Sequence, residues 1–358
     1  MTVRLTLVAE QLRRQVPGGI GTYVRGLVQG LAAVGAARAE VTLYASRPRR
    51  RPDPLADLGF PLVTCSLPGP LLTRAWDQGV APRLPAADVV HATSLATPPA
   101  TATPMTVMVH DLAWRSVPEA YPPHGRRWHE QALTRSMKRA SVFVVPSQST
   151  ADDLIGAGAD SAAIEVIPEG CDHLPPADHQ SARRLLGRSG VNGPYLLTVS
   201  TMEPRKNLPR LMAAFAAVRP KLPEPWPLVV VGPQGWGAAV EAVEGVVLLG
   251  RVDDAVLAAL YAGARAVAYV PLREGFGLPA VEAMAACVPV VASPIPSTAG
   301  AALEVDPLSV DEIAAALLEA VTDERSRSEL VNAGLRRATE LSWSAAALAH
   351  LELWNRLA

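Results

Sequence analysis

Short apolar runs alternate with longer segments of helical periodicity along almost the entire chain, and this alternation limits the fold more than any other feature. Six runs in the first half are rich in β-branched residues: VRLTLVA (3–9), VTLYA, DVVHA, TVMVH, SVFVVPS and IEVIPEG. Strands that are apolar on both faces and separated by helices form a parallel sheet covered by helices on both sides. We therefore predict a doubly wound α/β fold for this half.

The alternation breaks down between residues 171 and 193, where Pro, Asp, His and Gly are frequent, and we interpret this stretch as an interdomain connection. It then resumes with five further runs: YLLTVST, PLVVVGP, GVVLLGRV, ARAVAYVP and VPVVAS. A chain of 358 residues is long enough for two domains. We predict Rossmann-like domains at 1–175 and 176–340, followed by an amphipathic terminal helix at 341–358.

Parallel sheets of this kind bind ligands at the carboxyl ends of their strands, where the strand order reverses. Two such domains that face one another form a cleft, so the cleft is the expected ligand site. Loops that follow the predicted strands are therefore the first places to look for functional side chains.

Composition excludes several classes of protein. The 33 Lys and Arg nearly balance the 34 Asp and Glu, so no basic excess indicates a nucleic-acid partner. The three cysteines form no CxxC pair, which argues against a zinc site or a disulfide framework. The longest apolar stretch, 256–272, is interrupted by Arg265 and Pro271, and the N-terminus lacks the pattern of a secretory signal. We expect a cytoplasmic protein.

The segment EGFGLPAVE follows the predicted strand ARAVAYVP and carries the most specific pattern. Gly275 and Gly277 allow backbone N–H groups to approach an anion closely, and the start of the next helix favours a phosphate. Glu282, in the opening turn of that helix, can accept hydrogen bonds from a ribose, and Glu274 can accept them from sugar hydroxyls. The alternative is that Glu282 caps its own helix and Glu274 is a solvated loop acid.

The segment STMEPRKNL follows the strand YLLTV and places two cations, Arg205 and Lys206, just before a helix. Paired cations at this position can bind a pyrophosphate and stabilise the charge that develops on it as a leaving group. The alternative is a solvated basic turn in which Asn207 is the N-cap.

Two weaker patterns follow strands in the first half. PGGIGTY resembles a phosphate loop, with Gly18 and Gly19 in it, but lacks the spacing of known glycine fingerprints, and simple packing explains it equally well. VMVHDL ends a strand with His110 and Asp111. His110 can hydrogen-bond a sugar near the reacting carbon, although a single His at a strand end is often structural.

Two basic stretches, RPRRR (47–51) and residues 124–140, have two interpretations. They can face a phosphorylated or lipid-linked acceptor or an anionic membrane, or they can be ordinary solvated surface.

Taken together, these segments resemble the GT-B glycosyltransferases of family 4. The resemblance runs in the same order along the whole chain and is closest to a bacterial mannosyltransferase-like branch. The segments that carry it are GGIGTY, VHDL, VVPSQSTADDL, VIPEGCD, MEPRKNL, VVVGP, LLGRVDD and EGFGLPAVEAMAACVPVVAS.

The resemblance implies a two-domain GT-B fold, retention of anomeric configuration, no metal or other cofactor, and a nucleotide-sugar donor bound by the C-terminal domain. The acceptor is bound by the N-terminal domain, onto which the terminal helix packs. The implied catalytic residues are His110, Arg205, Lys206 and Glu274. The implied donor-binding residues are Gly18, Gly19, Arg251, Val252, Glu274, Gly275, Phe276, Gly277, Leu278 and Glu282.

Within this resemblance, Glu282 holds the ribose, Glu274 contacts the transferred sugar, and the nucleotide base lies near Arg251 and Val252. GDP-mannose is the donor that the branch suggests, with UDP- and dTDP-sugars as alternatives. The expected acceptor is a surface or cell-wall glycan or a lipid-linked glycan, with peripheral membrane contact as an option.

Three departures from the family pattern stand out. Glu169 replaces a common Asn, Thr22 replaces a common Arg, and the segment 294–306 is shortened next to the donor site. Two other classes of function therefore stay open, a nucleotide-sugar epimerase of the same architecture and a non-catalytic protein that binds nucleotide-sugars or glycans.

Overall fold

The computed structural model describes residues 2–35, 38–49, 52–80, 82–222, 224, 226–237, 239, 241 and 243–358. The chain divides into two compact units. The first comprises Met1–Arg115, Pro123–His173 and Ser342–Ala358, and the second comprises Ser116–Pro122 and Leu174–Leu341. Residues 116–122 thus belong to the second unit, although the predicted N-terminal domain includes them.

The described part of the first unit contains a seven-stranded parallel sheet. Its strands are β1 (Val3–Val8), β2 (Ala39–Ala45), β3 (Leu62–Thr64), β4 (Val89–Ala92), β5 (Met105–Met108), β6 (Val142–Val145) and β7 (Ile164–Val166). Their order is β3-β2-β1-β4-β5-β6-β7, so the order reverses between β1 and β4. The predicted doubly wound sheet is confirmed, and the short edge strand β3 was not predicted.

Six α-helices belong to the described part of this unit. They are α1 (Gly18–Val34), α2 (Gly69–Asp77), α3 (Ala113–Ser116), α4 (Pro123–Met137), α5 (Gln148–Gly156) and the terminal helix, Trp343–Leu357. The predicted loop around Gly18, Gly19 and Gly21 is wrong in one respect, because α1 already begins at Gly18. The glycines therefore form the first turn of the helix.

The terminal helix packs on α1 through small residues. A Cβ atom at Gly26 would lie only 2.0 Å from the ring of Trp343, and one at Gly30 would lie 2.1 Å from the Trp343 carbonyl oxygen. Glycine is therefore required at both positions for the two helices to approach this closely.

A buried polar network holds the same helix to the sheet. The Tyr23 hydroxyl lies 2.8 Å from Nε2 of His91 and 2.9 Å from Nε2 of His350. His91 also contacts the Thr106 hydroxyl at 2.8 Å, and the Trp354 indole donates to that hydroxyl at 3.1 Å. Burial lowers the pKa of His91 well below its usual value and that of His350 to about 4, so both rings are neutral in the folded protein.

The described part of the second unit contains a six-stranded parallel sheet. Its strands are β8 (Leu196–Val199), β9 (Leu228–Val231), β10 (Val246–Gly250), β11 (Ala266–Tyr269), β12 (Val290–Ala292) and β13 (Leu303–Glu304). Their order is β10-β9-β8-β11-β12-β13, which reverses between β8 and β11. This sheet also confirms the predicted fold class, with β13 as an additional short edge strand.

The α-helices of the described part of the second unit are α6 (His179–Arg188), α7 (Leu208–Val218), α8 (Asp254–Gly263), α9 (Leu278–Ala285), α10 (Val310–Thr322) and α11 (Glu324–Thr339). The terminal helix of the first unit, Trp343–Leu357, is numbered α12. Helix α6 lies in the stretch 171–193, which we interpret as an interdomain connection. Asp178 caps it by accepting from the Ser181 N–H, but only Ala182 and Leu186 are buried, which explains the weak periodicity.

Candidate active site

The strand order of the second unit brings two functional segments together. Because β8 and β11 are neighbours at the point where the order reverses, the loops at their carboxyl ends lie side by side. Arg205 and Lys206 follow β8, and Glu274 follows β11. The backbone N–H of Leu272 donates to the Arg205 carbonyl at 2.9 Å, which fixes the two loops relative to each other.

Three side chains of these loops form a compact charged cluster, which we call the ion cluster: Arg205, Lys206 and Glu274. Nη1 of Arg205 donates to Oε1 of Glu274 at 2.6 Å, and Nζ of Lys206 donates to the same oxygen. The side chains are only 10%, 12% and 10% exposed, respectively. The two alternatives, a solvated basic turn and a solvated loop acid, are therefore wrong.

The side chains of Tyr269 and Glu203 and one backbone carbonyl also contact the ion cluster. The Tyr269 hydroxyl donates to Oε1 of Glu274 and accepts from Lys206, both at 2.9 Å. Nη2 of Arg205 donates to Oε1 of Glu203 at 2.9 Å, and Nη1 also donates to the Arg273 carbonyl at 2.9 Å. Each cation is thus held by at least one partner besides Glu274.

The electrostatics of the cluster fix the charge of Glu274. Burial alone raises the pKa of a carboxyl group, but Arg205 and Lys206 outweigh it, and the pKa of Glu274 lies below its usual value. Burial, and then the Glu274 charge, raise the pKa of Tyr269 well above its usual value. At neutral pH, Glu274 is a carboxylate and Tyr269 is a neutral hydrogen-bond donor.

Asn207 fixes the backbone beneath the cations. It has a left-handed conformation with φ of 60°, and its side chain donates to the carbonyls of Val270 at 3.0 Å and Pro307 at 2.7 Å. Its side chain does not cap α7, so that alternative is also wrong. Asn207 instead links the β8 loop to the β11 loop.

The glycine segment continues from Glu274 into α9, which begins at Leu278. Gly277 has φ of 103°, and a Cβ there would lie 2.5 Å from Ile295, so only glycine fits. Glu282 is buried in α9 and accepts a hydrogen bond from the Tyr261 hydroxyl at 2.7 Å. Tyr261 lies on α8, so this bond links the Glu282 carboxylate to a neighbouring helix.

The shortened segment 294–306 packs directly against this glycine segment. Ser297 is fully buried, its hydroxyl donates to the Gly277 carbonyl at 2.9 Å, and its N–H donates to the Phe276 carbonyl at 3.1 Å. Nε of Arg337, from α11, donates to the Ser297 carbonyl at 2.8 Å. The segment therefore supports the backbone whose amides are predicted to bind the donor.

Arg251 and Val252 follow β10, at the edge of the same sheet. Because β9 lies between β10 and β8, these residues follow a strand two positions away from the one that precedes Arg205, and the two strand axes are roughly 10 Å apart. Arg251 is exposed. The structure does not bring the predicted base contacts into the ion cluster but places them to one side of it.

Three predicted residues, Gly18, Gly19 and His110, belong to the first unit. A Cβ atom at Gly18 or Gly19, at the start of α1, would meet no atom of the described residues within 4 Å. His110 follows β5, with Nε2 3.0 Å from the Thr93 carbonyl and Nδ1 3.3 Å from Oε1 of Glu169. Tyr23 lies edge-on to His110, with ring centroids 5.1 Å apart.

Sequence reasoning missed several residues of these groups: Glu169, Glu203, Tyr261, Tyr269 and Ser297. Tyr269 had a detectable signal, because it is the last residue of β11 and so lies at a strand's carboxyl end. Glu169 was noted only as a departure from the family pattern, and the structure shows its carboxylate beside His110.

The two basic stretches differ in how much the structure describes. Arg50 and Arg51 of RPRRR lie outside the described residues. In the stretch 124–140, Arg135 donates to Asp77 at 2.6 Å and Arg139 donates to the carbonyls of Thr97 and Trp76. These two cations are engaged within the first unit.

Within the described residues, no group of three or more His, Cys, Asp and Glu side chains is arranged to hold a metal ion. Over the same part of the chain, no helix combines the length and the hydropathy that crossing a bilayer requires.

Two family profiles match the chain in succession. The one described as Glycosyltransferase Family 4 matches residues 17–173, and the one described as Glycosyl transferases group 1 matches residues 193–323. Together the two matches support a glycosyltransferase of family 4. The range that matches the family 4 profile includes Gly18, Gly19 and His110, and the range that matches the group 1 profile includes the ion cluster and Glu282.

Two curated relatives resemble this chain at moderate identity. It is 32% identical over 249 residues to O-antigen chain mannosyltransferase B of Escherichia coli, covering 65% of each chain. It is 30% identical over 280 residues to D-inositol 3-phosphate glycosyltransferase of Kineococcus radiotolerans, covering 68% of this chain and 62% of that protein. The alignments thus span less than two thirds of either relative.

A solved structure shares the fold. The crystal structure of HepE from Anabaena in complex with UDP-glucose superimposes with a TM-score of 0.73 and 18% sequence identity, covering 99% of this chain and 100% of HepE. The predicted GT-B fold class is confirmed.

Proposed function

We propose that this protein is a retaining glycosyltransferase that moves a hexose from a nucleotide-sugar to a glycan or lipid-linked acceptor. The observation that carries the proposal is the ion cluster at the point where the strand order of the second unit reverses. Two oriented cations beside a carboxylate provide binding groups for a diphosphate and for a sugar. The matches to the two family profiles support this assignment.

In this proposal, Arg205 and Lys206 bind the diphosphate and stabilise the charge that grows on it as the glycosidic bond breaks. Glu274 accepts hydrogen bonds from the sugar, with the backbone amides of Gly275, Phe276 and Gly277 beside it. The departing phosphate oxygen takes the proton of the acceptor hydroxyl, and the new bond forms on the same face of the sugar.

The nucleoside is held at two further places. Glu282 accepts hydrogen bonds from the ribose, and the base lies near Arg251 and Val252, to one side of the ion cluster. The roles of Gly18, Gly19 and His110, in the first unit, stay predictions, with His110 beside the transferred sugar. We also propose that the reaction needs no metal ion.

We propose GDP-mannose as the donor, because the E. coli relative is a mannosyltransferase. A UDP-sugar is the second candidate, because HepE, which shares the fold, binds UDP-glucose. For the acceptor, the E. coli relative favours a surface polysaccharide, whereas the Kineococcus relative favours a phosphorylated polyol. We propose action at the cytoplasmic side, with peripheral membrane contact when the acceptor is lipid-linked.

The test is incubation of the purified chain with GDP-, UDP- and dTDP-sugars, alone and with candidate acceptors, while nucleoside diphosphate release is followed. Acceptor-dependent release with GDP-mannose is the expected result. Isomerised donor without release would indicate an epimerase. Binding without turnover across the whole panel would indicate a binding protein and contradict the proposal.

A further inference from the structure

The two cations proposed to bind phosphate are already engaged by a carboxylate of the same chain. Arg205, Lys206 and Tyr269 all donate to one oxygen, Oε1 of Glu274. A carboxylate oxygen has about two lone-pair sites, so three donors saturate it. In this arrangement, Oε1 cannot also accept from a sugar hydroxyl. The cations that are proposed to bind phosphate therefore compete with the sugar for this oxygen of Glu274.

The charges at this place balance. Arg205 and Lys206 carry two positive charges, while Glu203 and Glu274 carry two negative ones, and all four side chains are largely buried. A diphosphate that approaches this balanced set meets the Glu274 carboxylate at close range, and like charges repel strongly where water is excluded. The same cations attract a diphosphate once Glu274 has turned away.

The cations do not depend on Glu274 for their positions. Arg205 keeps its hydrogen bonds to Glu203 and to the Arg273 carbonyl, and Lys206 keeps its bond to the Tyr269 hydroxyl. Glu274 itself lies on a loop and precedes Gly275, the first of two glycines before α9. The carboxylate can therefore leave while the two cations stay oriented.

We infer that Glu274 is a specificity-determining residue that competes with the diphosphate for Arg205 and Lys206, so that the site favours a nucleotide-sugar over the free nucleoside diphosphate. A bound sugar offers hydroxyl donors to the displaced carboxylate and compensates for the ion pairs it has lost. A nucleoside diphosphate without a sugar offers none. After transfer, Glu274 returns to the cations and favours release of the nucleoside diphosphate. This inference rests on the proposed function and extends it.

The decisive experiment measures the binding of inorganic pyrophosphate by isothermal titration calorimetry, without added metal, to the full chain and to Glu274→Gln. Pyrophosphate carries the phosphate charges without base or sugar. Gln has nearly the same shape as Glu but no charge, so its amide oxygen holds the cations less strongly. We expect pyrophosphate to bind about tenfold more tightly to Glu274→Gln, a difference of about 1.4 kcal/mol. GDP and UDP should show the same direction.

The control is Glu244→Gln, which removes an exposed carboxylate of the same unit. Glu244 pairs with Arg219 and is not among the predicted donor-binding residues, so pyrophosphate affinity should not change. Transfer by Glu274→Gln should fall by about 100-fold even though it binds diphosphate more tightly. A purely structural role for Glu274 would instead weaken both.

Equal or weaker pyrophosphate binding by Glu274→Gln than by the unaltered chain would overturn the inference. If that variant does not fold, Glu274→Asp decides the question, because its shorter carboxylate cannot reach both cations. It should bind pyrophosphate several-fold more tightly than the unaltered chain, and unchanged affinity would overturn the inference. An unaltered chain that neither binds GDP, UDP or pyrophosphate nor turns over any donor contradicts the proposed function itself.

Discussion

The two parallel sheets reverse their strand order in the same way but carry different chemistry at that point. In the second unit, two cations and two carboxylates form ion pairs with one another beside β8 and β11. In the first unit, α1 begins with the glycines Gly18 and Gly19, and one His–carboxylate contact lies near β4 and β5. One topology therefore provides a set of buried charges in one unit and open backbone with a single imidazole in the other.

This difference assigns separate tasks to the two units. Oriented charges in a partly buried site stabilise developing charge without reorganising at the moment of reaction. Gly18 and Gly19, where an added Cβ would meet no described atom within 4 Å, provide space and N–H groups rather than charge. We therefore expect substitutions in the ion cluster to affect the chemical step most, and substitutions in the first unit to have smaller effects.

The largest expected effect is loss of turnover in the double variant Arg205→Ala, Lys206→Ala. Removing a single preorganised donor to a developing charge typically costs 10²–10³ in rate, so the double variant should lose at least roughly that factor in kcat. Single-turnover release of nucleoside diphosphate measures it. Near-normal turnover would remove the ion cluster from the mechanism.

The control for this variant is Lys221→Ala, which removes an exposed cation beyond the far end of α7. It should leave kcat unchanged. The double variant also leaves the buried carboxylates of Glu203 and Glu274 without these cations, so its thermal unfolding must be measured alongside. Arg205→Lys is a milder variant, which keeps the charge but loses the forked geometry of the guanidinium.

The second expected effect is a difference in acid stability between the units. His91 and His350 have folded-state pKa values below that of an unfolded His, so the unfolded chain binds more protons below about pH 6.5. The contribution of these histidines to the stability of the first unit is therefore fully present above about pH 6.5 and falls as the pH drops. For His350 it falls by about 1.4 kcal/mol per unit down to about pH 4. Glu274, with its lowered pKa, loses its contribution only below about pH 4.5.

Peptide-resolved hydrogen exchange at pH 7.5 and 5.5 checks this difference. Peptides of β4 and α12 should lose protection at the lower pH, while peptides of β8 and β11 should not. His350→Gln should reduce the dependence in the first unit. Equal loss of protection in both units would contradict the assignment to the buried histidines.

The sequence predicted most strands of both sheets, because parallel strands that are buried on both faces leave continuous β-branched runs. It missed β3, β13 and α6, where few residues are buried and the periodicity is weak. It also predicts a loop at the first glycines of α1, because glycine disfavours a helix. Packing of Gly26 and Gly30 against α12 stabilises that helix in the folded protein.

The sequence placed Arg205, Lys206 and Glu274 after strand ends but could not show that they touch. That contact depends on β8 and β11 being neighbours, which is a property of strand order rather than of local pattern. For the same reason, the sequence shows Tyr269 only as a strand residue and Ser297 only as part of the segment 294–306. Tyr269 bonds Lys206, 63 residues away, as well as Glu274, and Ser297 bonds Gly277, 20 residues away.

A third, smaller effect is expected for Glu169, which we regard as a positioning residue for His110. Glu169→Gln removes the carboxylate charge beside Nδ1 but keeps an acceptor, so kcat should fall by about tenfold or less while the donor KM stays unchanged. Glu169→Asp should recover part of the loss. A change confined to thermal stability would show that the contact is only structural.

The smallest expected effect concerns Ser297, which holds the backbone of the glycine segment. Ser297→Ala removes the hydroxyl that donates to the Gly277 carbonyl but keeps the N–H bond to Phe276. One neutral hydrogen bond contributes about 1 kcal/mol, so the donor KM should rise several-fold with little change in kcat. Thr298→Ser is the matched control, because Thr298 bonds Ile295 and Glu304 rather than the glycine segment. If KM stays the same in Ser297→Ala, the shortened segment does not position the donor loop, and the fixed geometry of the second unit depends on the ion cluster and Asn207 instead.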